Sequence, residues 1–178
     1  MSNCIIRKAK ETDFANLLDL SLLLTDKEFK EYDKTLKPEW LSEEEGRQYL
    51  NEHISQENKC ALIAEFNGKL IGYLLGEITP KDEYVYRKIN SYAELSELFV
   101  LDEHRNKGTG SFLMNAFVNW CKEKSVEKIK VEVMKQNYSG INFYNKNGFD
   151  EYCVSLEMDL TAQKENSTLA QTDCTIKA

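Results

Sequence analysis

Proline and glycine are scarce. Two prolines and eight glycines in 178 residues exclude a collagen-like or proline-rich low-complexity chain. Positive charge is also short: 23 Lys and Arg stand against 30 Asp and Glu, a net −7. A protein that grips nucleic acid through its phosphates carries the opposite excess, so nucleic acid is not expected as a partner. Long hydrophobic runs are missing. No stretch approaches the roughly 20 apolar residues of a membrane span, and Met1–Lys10 carries Arg7, Lys8 and Lys10 but no apolar signal-peptide core. The expectation is a cytoplasmic protein with no membrane partner. Cys4, Cys60, Cys121, Cys153 and Cys174 are widely spaced, form no C-x-x-C pair and have neither His53 nor His104 nearby. Neither a metal site nor a disulfide framework is expected, and reduced thiols are the plain reading.

What remains is ample for a core. Hydrophobic residues are 42% of the chain and aromatics 11%, which excludes disorder throughout, and the length suits one domain. Cys4–Arg7 reads as a strand. Thr12 is a candidate N-cap for a helix carrying Phe14, Leu17, Leu18 and Leu22 at helical spacing. Thr25–Trp40 is charged and reads as irregular. Ser42-Glu43-Glu44-Glu45 reads as a capping box opening a second helix. Lys59–Phe66 and Lys69–Thr79 are strand-like runs joined by Asn67-Gly68, a dipeptide that favours positive φ and marks a hairpin. After the polar connection Pro80–Asn90, Tyr92–Leu101 is a further strand. Gly108–Lys124 is an amphipathic helix with Phe112, Leu113, Ala116, Phe117, Trp120 and Cys121 on one face. Val126–Met134 alternates as a strand, Ser139–Asn147 is a short helix closed by Gly148, and Phe149–Leu160 is extended. Thr161–Ala178 is a polar tail. The order β-α-α-β-β-β-α-β-α-β argues an α+β fold: a mixed, mostly antiparallel central sheet flanked by helices.

One stretch carries chemistry. In Glu94–Gly110 a strand runs into a loop holding Arg105, Gly108 and Gly110, and the loop runs into the amphipathic helix. Glycines let successive backbone N–H groups point into one concavity. The helix N-terminus adds partial positive charge, and Arg105 and Lys107 add full charges. Together these suit a pyrophosphate. The loop is neither a Walker loop nor G-x-G-x-x-G.

Arg105-Asn-Lys-Gly108-Thr-Gly110 resembles the Arg/Gln-x-x-Gly-x-Gly/Ala signature of the GCN5-related N-acetyltransferases. Glu97-Leu-Phe-Val100 looks like the family's fourth strand. Asn137-x-x-Gly140-x-x-Phe143-Tyr144-x-x-x-Gly148-Phe149 is similar to a second family block, with Gly140 where Ala is usual, and Ile6-Arg7-x-Ala9-x-x-x-Asp13 is similar to the family's start. The resemblance covers roughly Ile5–Leu160.

The resemblance implies an N-acetyltransferase domain over residues 1–160, with 161–178 as a tail, and direct transfer of an acetyl group from acetyl-CoA to an amine without a metal. Arg105, Asn106, Lys107, Gly108, Thr109 and Gly110 would hold the pyrophosphate through backbone amides. Phe99 and Val100 would lie at a bulge splaying the fourth strand from the fifth, where pantetheine pairs with freed backbone and a backbone N–H stabilises the thioester oxyanion. Tyr144 matches the usual general acid, and Asn137 a position that contacts the cofactor arm or orders a water. Glu94, slightly favoured, and Glu97 are the candidate bases. Strict alternation puts them on opposite faces of the strand, a separation that a bulge would relax. His104, Cys121 and Cys153 are read as surface or packing residues. The acceptor region, about Thr25–Glu57, holds ten acids against five bases, with Tyr32, Trp40, Tyr84 and Tyr86 as candidate aromatic walls. That points to a small cationic amine, polyamine- or aminoglycoside-like, as acceptor. A protein N-terminus or lysine is the alternative acceptor, and a silent CoA-binding module the alternative to an enzyme. Such folds also dimerise, so a homodimer is a possible partner state.

Overall fold

The computed structural model describes residues 4–79, 88–89 and 91–160. Most of Pro80–Asn90, including Tyr84 and Tyr86, and the tail Thr161–Ala178 lie outside the described residues. Five strands form one sheet in the order β1-β2-β3-β4-β5: β1 Cys4–Lys8, β2 Lys59–Phe66, β3 Lys69–Thr79, β4 Tyr92–Val100 and β5 Lys128–Val131. The first three pairings are antiparallel and β4–β5 is parallel, so the sheet is mixed and mostly antiparallel, as expected. A parallel step needs a crossover, and α3, Thr109–Glu123, supplies it. The β2–β3 turn is fixed locally: Asn67 and Gly68 both take positive φ, 51° and 77°, as a type I′ hairpin requires.

The sheet is covered on both faces. On one side α1, Phe14–Glu31, and α2, Glu44–Ser55, enclose Leu17, Leu50, Ile63, Tyr73, Leu75 and Phe99. On the other, α3 buries Leu113, Phe117 and Trp120 against Leu62, Leu74 and Leu95. Phe112, expected on that buried stripe, is instead half-exposed beside the loop. A final helix, α4, spans Tyr138–Lys146. Arg7 ties the start of the chain down: its guanidinium grips Asp13 at 2.7 and 2.9 Å and Glu65 at 3.1 Å.

Three local expectations are corrected. Thr25–Trp40 is not irregular throughout, because α1 runs on to Glu31 with Asp26–Lys30 and Lys27–Glu31 pairs one turn apart supporting it. The helix also follows Asp13 rather than Thr12, after a 3₁₀ turn over Glu11–Asp13. The Ser42 capping box does not form: Ser42 closes a 3₁₀ turn, Glu43 precedes α2, and its carboxylate goes to Lys37 at 2.7 Å. Phe149–Leu160 is not a strand of the sheet. Its alternating apolar residues from Tyr152 to Leu160 stay exposed, since alternation makes a strand only where a neighbour supplies hydrogen bonds.

Candidate active site

The β4–β5 ladder runs only from Tyr92–Lys128 to Leu95–Val131. Beyond it β4 continues to Val100 while β5 ends, so a gap opens along one edge of β4. Leu101 donates its N–H to the Ile71 carbonyl on the β3 side. Strand alternation therefore points the N–H and C=O of Val100 the other way, into the gap, and those of Phe99 toward β3. The Val100 carbonyl accepts from Arg105 Nε at 2.8 Å.

The expected bulge exists, but not at Phe99 and Val100. Leu75 pairs with Glu97 and Gly76 with Leu95, so Ser96 is the extra residue. The displacement has a chemical consequence. Ala93 and Leu95 face the α3 core, as do Leu98 and Val100, so the phase of the strand slips by one at Ser96. Glu94 and Glu97, which strict alternation would separate, share the α1/α2 face.

The loop after β4 is shaped by two left-handed residues, Asn106 at φ 58° and Gly108 at φ 86°. At Gly108 only glycine adopts this geometry without strain. Arg105 folds back onto Val100, pairs with Asp102 at 2.7 Å and lies over the Phe99 ring. Lys107 closes the turn on the Glu103 carbonyl at 2.8 Å. Thr109 is buried and begins α3. Among the described residues no hydrogen bond consumes the N–H groups of Asn106–Ser111, and the first bond of the helix runs from Phe112 to Gly108. Gly110 serves packing: a Cβ there would lie 3.1 Å from the Phe143 ring, so α4 sits directly against the start of α3.

Asn137 caps α4. Its Oδ1 accepts from the Gly140 N–H at 2.9 Å and from the Ser139 hydroxyl at 3.0 Å. A Cβ on Gly140 would approach the Asn137 side chain to 2.7 Å, so glycine gives that cap its room. Tyr144 follows Phe143 on α4 and rests edge-on against Phe143 and Phe149. Burial, with help from the charge of Glu28, pushes its phenol up to about 12.

Glu97 is the most embedded acid of the site. Its Oε2 accepts from the Tyr73 hydroxyl at 2.5 Å. Burial raises its pKa, while the hydroxyls of Tyr73, Tyr49 and Ser21 favour the charged form and oppose that rise. The same surroundings raise the phenols of Tyr73 and Tyr49, burial first. Glu94 lies apart from this group, opposite Glu77 on β3 and 4.0 Å from Lys130 on β5. Glu28, on α1, was one of ten acids in its region by sequence. It now stands within electrostatic reach of both Glu97 and Tyr144. Tyr32 ends α1 between Glu28 and Arg105, and Trp40 packs against Tyr49 at 5.6 Å. Cys121 is buried and its thiol is pushed up to about 12, an inert packing group, whereas Cys153 is exposed. Among the described residues no cluster of three His, Cys, Asp or Glu is placed to hold a metal, and no helix is long and apolar enough to cross a membrane.

Comparison with known proteins decides the family. The acetyltransferase (GNAT) family profile matches residues 24–149, more than half of the chain. The chain belongs to the GNAT family. GNAT proteins are acyltransferases, and the relatives carry matching names. The Bacillus subtilis uncharacterized N-acetyltransferase YobR is 36% identical over 61 residues, 34% of this chain and 25% of that protein. A Sulfurisphaera tokodaii N-alpha-acetyltransferase is 24% identical over 156 residues, 84% of this chain and 81% of that protein. These matches thus span from a quarter to four-fifths of the curated relatives' own length. Among solved structures, the aminoglycoside N-acetyltransferase AAC(6')-Iy in complex with CoA superimposes with a TM-score of 0.71 at 18% identity, over 91% of this chain and 97% of that one. At that identity the likeness is one of fold: this GNAT chain has the GNAT fold.

Proposed function

We propose that this GNAT protein is an acetyl-CoA-dependent N-acetyltransferase that moves an acetyl group directly to a primary amine, and that its acceptor is a small cationic amine. The observation that carries the reading is the gap beside β4. It is lined by the Val100 N–H, headed by the unbonded amides at the start of α3, and flanked by α4 with Tyr144.

Each residue then has a task. The amides of Asn106, Lys107, Gly108, Thr109 and Gly110 form the pyrophosphate cradle, with the helix dipole behind them, while the Arg105 N–H, expected there too, is engaged on the Asp102 carbonyl at 3.2 Å. The Arg105 and Lys107 side chains are spent on holding the loop's shape. Pantetheine pairs along the open β4 edge like a short extra strand. Acetyl-CoA supplies the acyl group as a thioester. The Val100 N–H faces that group and stabilises negative charge developing on the thioester oxygen, and Phe99 fixes Val100 in place by bonding toward β3. Tyr144 donates a proton to the departing sulfur. With its phenol at about 12 it is a weak acid and a firm hydrogen-bond donor, suited to transfer late in bond cleavage. Asn137 positions Tyr144 by capping its helix.

The amine must arrive with its lone pair free. Glu97, held by Tyr73 on the acceptor face of β4, is the better-placed proton acceptor. Glu94 sits with Glu77 and Lys130 and contributes to the field at the rim. The acidic acceptor region attracts cations. The N-alpha-acetyltransferase relative keeps a peptide N-terminus as the alternative acceptor.

The test is thiol release from acetyl-CoA against polyamines, aminoglycosides, amino acids and basic peptides, beside a no-acceptor control. Release with small polycationic amines supports the reading, and release with peptides alone moves the acceptor to protein. Tight acetyl-CoA binding without release by any amine turns the protein into a silent CoA-binding module. No acetyl-CoA binding overturns the site.

A further inference from the structure

We propose that Glu28 and Glu97 form one two-carboxylate site that selects acceptors bearing a second cationic centre, a diamine over a monoamine of the same length. The inference rests on the acetyltransferase reading for its orientation but concerns a residue that none of the sequence motifs singles out.

The geometry begins on α1, which packs across β3 and β4. Ser21 and Glu28 are seven residues apart, two helical turns, and so lie on one face. Ser21 is fully buried, its hydroxyl directed at the Tyr73–Glu97 pair, and its Oγ has no hydrogen-bond partner. That hydroxyl favours a charge on Glu97 from the α1 side. Two turns on, Glu28 is half-buried on the same face. Its charged neighbours on the helix are paired, Asp26 with Lys30 and Lys27 with Glu31, yet its own carboxylate has no hydrogen bond or ion pair among the described residues.

Around Glu28 the charges are one-sided. Glu97 comes from β4, Tyr144 from α4 and Tyr32 from the end of α1. Lys27 and Lys30 beside it on α1 are paired with Glu31 and Asp26, and Arg105, which reaches Tyr32, is engaged with Asp102 and Val100. Burial first, and then repulsion from Glu97, push Glu28 up to about 6. Two acids that oppose each other's ionisation in a partly dry site gain most from a ligand with two positive charges. The reacting nitrogen then lies by Glu97, and the second ammonium is held by Glu28.

Calorimetric titration of the CoA-loaded protein with 1,4-diaminobutane and with 1-aminobutane tests this. At about pH 8 the wild type should bind the diamine roughly tenfold more tightly. The preference should shrink as pH falls below about 6 and Glu28 takes up a proton, whereas protonation of Glu97 weakens both amines alike. Glu28→Gln should abolish the preference while changing monoamine affinity less than about twofold, and Glu28→Asp should restore part of it. Equal binding of both amines by the wild type, no binding of either, an undiminished preference in Glu28→Gln, or equal losses for both amines there would each overturn the inference. Thiol release with the same amines reads the transferase separately. Diamine selectivity without release would sink the transferase reading and leave Glu28 as an amine-binding residue.

Discussion

At the scale of single residues, the site is governed by groups held away from their ordinary protonation. Tyr144→Phe keeps the ring contacts with Phe143 and Phe149 and removes only the proton. Turnover should fall by roughly 10²-fold or more, with CoA affinity within about twofold by titration. Glu28 makes the opposite trade. Its folded pKa, about 6, is raised above the ordinary carboxylate value, so its charged form costs stability at high pH. That cost is fully present above about 6 and gone below about 4.5. Glu28→Gln should therefore raise the melting temperature of the empty protein at pH 8 but not at pH 4, as thermal unfolding would show. His53, away from the site, works in the reverse sense. It is a buried residue of α2, its Nδ1 is 2.9 Å from the Tyr49 carbonyl one turn back, and Nε2 has no partner among the described residues. Nδ1 must donate, which fixes the tautomer. Burial lowers its pKa below 6.5. Its contribution to stability is thus complete above about 6.5 and is lost as pH falls, because the unfolded chain takes the proton first. Ring-nitrogen resonances should show His53 Nδ1-protonated and mostly neutral at pH 6.5, where a free imidazole is half charged, and a ring that titrates at or above 6.5 would refute this.

At the scale of elements, what the sequence made legible was what neighbours in the chain decide. The Asn67-Gly68 hairpin, with strands over Lys59–Phe66 and Lys69–Thr79, forms with the expected bounds, because a two-residue turn sets its own register. The Gly108 helix start and the Gly148 stop at φ 89° were legible for the same reason. The bulge was not. An extra residue at Ser96 is defined by what lies opposite it on β3, where a Cβ on Gly76 would collide with the Phe117 ring at 2.5 Å, a distant contact that no local pattern reports. The pairing of Glu94 and Glu97 on one face follows from that bulge, and the prominence of Glu28 from the packing of α1 over β4. Among ten acids in one charged region, composition cannot choose; tertiary burial does. The loop proposed for the pyrophosphate offers the test at this scale. Gly108→Ala forces a side chain into the left-handed region and should cost about 1 kcal/mol of stability. It should also weaken CoA binding severalfold, while the hairpin variant Gly68→Ala, similarly strained and remote from the gap, should lose stability alone.

At the scale of the whole molecule, the two faces of the sheet divide the labour. The α3 face holds the dry core and the start of the loop proposed for the pyrophosphate, and the α1/α2 face carries Glu28, Glu94 and Glu97, the acids proposed to meet the acceptor. The gap beside β4 is where the two faces communicate, since only there does the sheet lack a strand between them. Four residues of β5, joined to a single neighbour through a parallel ladder of four pairs, form the far wall of that gap. β2 and β3 are longer, and each is joined to a neighbour on both sides. Opening free energies within one protein follow such differences in support. Amide hydrogens of Lys128–Val131 should therefore exchange with solvent sooner than those of β2 and β3, and protection should rise at β5 when CoA bridges the gap. The wall that would close around the cofactor is then also the first part of the sheet to breathe, and the time the cofactor stays bound becomes a property of how often four residues let go.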